Sequence, residues 1–171
     1  MNKETLLARL MANSQALAQA LEGVPHDELE KPGAIGQRSI KEVCALLTAW
    51  DGEALRRIDY ITGRRLEPPH DVDDSAYWNN WAEMQVAIKR TMPVRGVLVD
   101  MIGTHQRLLT RLAELSDFHI ERWLKQDPQA TQPYFTDYLA QIQTWRTTWD
   151  KAHPAPGGLK KLWQSVKWWQ K

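Results

Sequence analysis

The feature that most constrains this chain is the spacing of apolar residues in "VRGVLVDMIGTHQRLLTRLAEL". Val94, Leu98, Met101, His105, Leu108, Leu112 and Leu115 follow one another in steps of four and three. Such a repeat puts every member on one side of an α-helix and favours packing against other helices at a shallow crossing angle. A strand would need a period of two. The chain is therefore expected to be all-α, with this helix at its centre. His105 is the one polar member of the seam.

Three further segments repeat the pattern. Leu7, Leu10, Ser14, Leu17, Leu21 and Val24 form a first stripe, with Asn2 as its expected cap and Gly23 and Pro25 as its stop. "HDELEKPGAIGQR" reads as a polar loop. Ser39 with Glu42 then makes a capping box, and Ile40, Val43, Leu47, Trp50, Ala54, Ile58 and Ile61 continue as one stripe to Gly63. A shorter helix, "SAYWNNWAEMQVAIKR", is expected behind Asp74 as its cap. After "SDFHIERWLKQDPQATQ", read as a connection, Pro133 opens a last long helix with Phe135, Tyr138, Ile142, Trp145 and Trp149 in register. The expected architecture is a four-helix bundle with one extra short helix. It spans residues 1–152, with a linker at 153–158 and a basic, Trp-rich amphipathic tail helix at 159–171.

Composition narrows function mainly by exclusion. With 171 residues and 43% hydrophobic side chains the chain can bury a core. Its net charge of +1 gives no general affinity for nucleic acid. The single Cys, Cys44, excludes internal disulfides and a Cys-based zinc site and suits a reducing, cytoplasmic setting. Cys44 is expected to be an inert buried thiol. No apolar secretion signal is read at the start, and no apolar run reaches membrane-spanning length. Nine Trp residues are enough to line a pocket or an interface as well as a core.

Several residues stand out as candidates. His105 on an apolar seam is either a core imidazole satisfied by Tyr138 or a backbone carbonyl, or a general base facing a pocket. Tyr134 and Tyr138 are either amphipathic core residues or hydrogen-bond donors in a cavity. Tyr77, Trp78, Asn79 and Trp81 form an aromatic-dense helix that either walls a pocket or caps the bundle. Trp50 is expected to be core and a ligand-facing ring if a pocket exists. Asp51 and Glu53 are expected on a solvated face or paired with Arg56 or Arg57. The acidic "HDVDD", residues 70 to 74, lacks calcium-loop spacing and reads as a solvated loop. The five His residues are never three or four apart, so no helical pair can share a metal. In the tail, Leu159, Leu162, Trp163, Val166 and Trp169 oppose Lys160, Lys161, Lys167 and Lys171. It folds back on the bundle, lies on an anionic membrane surface, or docks on a partner.

"SIKEVCALLTAWDGEALRRI" resembles the second helix of the DinB-like four-helix bundles, and is most similar to the branch of the colibactin self-protection proteins (ClbS/DfsB). Ser39, Val43, Trp50 and Asp51 carry that likeness, with "NKETLLARL", "YWNNWAEM" (Asn79 matching), "THQRLLTRLAELSD" and "PYFTDYLAQIQTWR" in support. The resemblance covers residues 2 to about 150 and omits the tail. It implies the bundle and a central cavity. In metal-binding relatives three His hold the ion; the matching positions here are Leu46, Tyr134 and Tyr138, so neither metal nor other cofactor is expected. The ClbS likeness implies a metal-independent hydrolase that opens a strained, electrophilic ring in a small metabolite, with His105, Tyr134 and Tyr138 as catalytic candidates and Trp50, Trp78, Asn79 and Trp81 holding the ligand. The alternative is a non-catalytic protein whose pocket sequesters a ligand or whose Trp faces make a homodimer.

Overall fold

A computed structural model describes residues 1–66, 75–126 and 133–154. The described residues are all-helical apart from their connections. They form α1 (Lys3–Leu21), α2 (His26–Glu30), α3 (Ile40–Ile61), α4 (Ser75–Lys89), α5 (Val94–Glu114), α6 (Asp117–Gln126) and α7 (Pro133–Ala152). The expected Asp74 cap, the "HDVDD" loop, most of the linker and the tail lie outside the described residues.

The ends of the helices follow local chemistry. Asn2 accepts from the Thr5 backbone N–H at 2.8 Å and caps α1. Ser39 and Glu42 form the complete capping box at the start of α3, each side chain satisfying the other residue's N–H. Gly63, at φ +71°, takes the left-handed turn after α3 that other residues resist.

Two segments read as connections are helical. "HDELE" forms the single turn of α2 because Leu29 has a hydrophobic pocket to fill and is buried. "DFHIERWLKQ" forms α6, where Ile120 and Trp123 lie one turn apart and are buried. Trp123 is fully buried, so tertiary burial organises a segment whose polar flanks suggest a loop.

α3 packs most extensively against α5, and also against α4; α1 packs against α7 and α5. Cross-helix caps lock the pairs. Arg146 on α7 donates to the carbonyls of Ala20 and Glu22 at 2.9 and 2.7 Å, satisfying the end of α1. Lys3 on α1 donates to the Leu115 carbonyl at 2.7 Å beyond the end of α5.

Among the described residues the apolar interior forms three clusters, two of them following one another along the helices and the third an aromatic group around α4. Of the first two, one gathers Leu17, Leu21, Val43, Leu47, Val97, Met101, Phe135 and Ile142. The other gathers Leu6, Leu10, Ala54, Ile58, Leu108, Leu112 and Trp123. Asp51 and His105 fall between them on α3 and α5. Met101, His105, Leu108, Leu112 and Leu115 of the founding seam are buried, while Leu98 packs half-buried at its edge.

Candidate functional site

Trp50 on α3 is the hub of an aromatic cluster. Its ring lies 5.1 Å from Trp78 and 4.8 Å from Trp81, both on α4, and stacks on Tyr134 of α7 at 4.9 Å and 25°. Trp78 and Trp81 meet edge-on at 5.4 Å, and Tyr77 meets Trp78 edge-on at 5.1 Å. Offset and edge-on contacts of this kind suit the ring quadrupoles. Leu46 is buried in the same cluster beside Val86, and Tyr138 packs against it. Arg57 sits over the Trp78 ring at 5.6 Å, a cation–π geometry.

Beside the cluster a cleft of about 680 Å³ opens between α7, α4 and the loop before α3. Tyr134, Asp137, Tyr138 and Gln141 form one wall, Glu83 and Val86 another, and Ile35 to Arg38 with Glu42 a third. The spacing on α7 explains its wall: positions 134, 137, 138 and 141 recur at three and four and share a face. The loop is pinned by backbone hydrogen bonds between Ile35 and Arg38, 3.0 Å in each direction. From there Arg38 reaches both other walls. It forms an ion pair with Glu83, and its Nη1 donates to the Tyr138 hydroxyl at 3.3 Å. Because Tyr138 accepts that bond, its own O–H can be donated into the cleft.

The sequence candidates separate into groups. Trp50 touches Trp78, Trp81 and Tyr134; Tyr134 and Tyr138 line the cleft, whereas Trp50, Trp78 and Trp81, expected to hold a ligand, lie behind it and do not. Asn79 is exposed on α4, whereas its neighbour Trp78 turns inward. His105 is elsewhere. It is buried, its ring meets Phe135 at 5.6 Å, and it does not line the cleft. The acceptor expected for it was Tyr138 or a backbone carbonyl. Its principal partner is Asp51: Nδ1 lies 2.8 Å from Asp51 Oδ2, with Nε2 facing the Leu10 carbonyl at 3.4 Å.

Asp51 is therefore not on a solvated face. It is completely buried, because one step along α3 from Trp50 turns the side chain by about 100°, away from the Trp cluster and toward α5. Glu53 does pair with Arg56 and Arg57, at 3.1 and 3.2 Å, although its side chain is buried rather than solvated. Cys44 is buried, and burial pushes its thiol up to about 12, so it carries no thiolate at neutral pH.

Arg38, Glu83, Asp137 and Gln141 were not singled out by the sequence. Arg38 precedes the α3 cap, a position with no periodicity to betray it. The α7 pair had a usable signal, since Asp137 and Gln141 stand three residues beyond Tyr134 and Tyr138.

The three positions that the DinB-like resemblance matches to metal-binding His do not supply that donor set. Leu46 offers no lone pair and is packed in the Trp cluster, and the other two positions are Tyr134 and Tyr138 in place of imidazoles. Among the described residues no group of three or more His, Cys, Asp or Glu side chains is placed to hold a metal ion. No helix among them is long and apolar enough to cross a membrane. No family model, curated protein or solved structure matches the chain.

Proposed function

We propose that this chain is a small-molecule-processing four-helix bundle protein of the cytoplasm, similar to the ClbS/DfsB branch of the DinB-like proteins and working without that fold's three-His metal. The cleft is the reaction site. The observation that carries this reading is the Arg38–Tyr138 hydrogen bond on its wall. It holds a phenol beside Tyr134 on the cleft wall and leaves its own O–H free to donate to a ligand.

Hydrolytic opening of a strained ring adds water across one bond. The water oxygen bonds to carbon, the ring bond breaks, and the departing atom takes a proton. Tyr138 supplies that proton and regains one from the attacking water. Tyr134, backed by its stack on Trp50, gives the site an apolar side together with Val86 and Ile35. Burial of the Asp51–His105 couple away from the cleft favours a second reading, in which the cleft only binds its ligand.

Replacing Tyr138 by Phe separates the two. The assay is turnover of a panel of small epoxides and cyclopropanes, followed by mass spectrometry, with binding measured in parallel by calorimetry. Loss of turnover with retained binding supports proton donation by Tyr138. Unchanged turnover and unchanged binding would remove the residue from the site.

A further inference from the structure

The charges of the cleft point to the chemical class of its ligand, and this inference rests on the cleft being the binding site. We infer that the cleft selects an organic cation, such as a protonated amine on a compact apolar body, and disfavours carboxylates and phosphates.

The lining holds three carboxylates, Glu42, Glu83 and Asp137, against one guanidinium, Arg38. Arg38 is already engaged: Glu83 takes one side of its fork and the Tyr138 oxygen the other. An anionic ligand would have to displace Glu83 to gain the single positive group available. Glu42 is likewise engaged, with the Ser39 N–H and with Arg90 at 3.3 Å.

Asp137 differs from both. It stands on the α7 wall between Tyr134 and Tyr138, and no hydrogen bond or ion pair holds its carboxylate among the described residues. A cation seated against Asp137 would lie beside two phenol rings, whose faces attract positive charge. The volume of about 680 Å³ accommodates a drug-sized molecule or smaller. Ile35 and Val86 supply apolar contact for its body.

The test uses the full chain and three matched probes: 2-phenylethylamine, 2-phenylethanol and phenylacetate. Each is titrated at neutral pH and low salt while backbone amide resonances of Gly36, Gln37 and Gln141 are followed by NMR. The amine is expected to shift these resonances with a dissociation constant roughly fivefold below that of the alcohol, the scale of one partly solvated ion pair. Asp137→Asn should erase that difference, and phenylacetate should bind most weakly. Equal binding of amine and alcohol at these residues, or tightest binding of phenylacetate, overturns the cation preference and leaves the cleft as a binding site. Absence of any shift at the cleft with all three probes overturns both.

Discussion

Removing the carboxylate of Asp51 tests the reading of the protein's centre. Asp51 is 0% exposed and His105 3%, and their nearest polar atoms are 2.8 Å apart. In Asp51→Ala the buried imidazole Nδ1 loses its acceptor. Breaking a buried hydrogen-bonded pair on one side costs about 3–5 kcal/mol. Against a native stability of about 5–15 kcal/mol this is a large fraction. Asp51→Asn keeps an oxygen that can accept and loses mainly the charge, so about 1–3 kcal/mol is expected. Replacing both residues by Leu removes both polar groups together and should cost less than Asp51→Ala alone. The assay is urea unfolding followed by tryptophan fluorescence, with the slope against denaturant unchanged among variants. A loss below about 1 kcal/mol for Asp51→Ala, or coupling below about 0.5 kcal/mol in the Asp51–His105 double-mutant cycle, would refute the claim that the pair organises the interior.

Ser39→Ala leaves the first turn of α3 without its side-chain cap and should cost about 1 kcal/mol in the same unfolding assay. Cys44 gives a pH dependence whose sign follows from burial. Its thiol is raised to about 12 when folded from a model value of 9.0. The unfolded chain therefore sheds this proton first, and the contribution, fully present below pH 9, declines by about 1.4 kcal/mol per pH unit above it. Cys44→Ala should flatten that part of the stability profile relative to the parent, and an identical slope in both proteins would contradict the burial. Trp50→Leu removes the ring shared by Trp78, Trp81 and Tyr134 and should cost about 2–4 kcal/mol; near-ultraviolet circular dichroism should weaken with it, and an unchanged spectrum would show that the cluster is not a packed unit.

The sequence by itself determined the long helices. α3 and α5 run close to their apolar stripes because a repeat of three and four fits one backbone conformation, and the Ser39 box and Gly63 mark the ends of α3 through local chemistry alone. Cys44 was legible as buried for the same reason. What only tertiary structure decided were the elements and contacts whose partners are distant in sequence. α6 exists because Trp123 has an interior to enter, which its own ten residues do not reveal. Asp51 is 54 residues from His105, and no pattern along the chain joins them. Arg38, Glu83 and Tyr138 come from a loop and two helices, so the cleft they form appears only when those three elements meet. Periodicity records which face of a helix turns inward; which charges it then encounters depends on the neighbours that close over it.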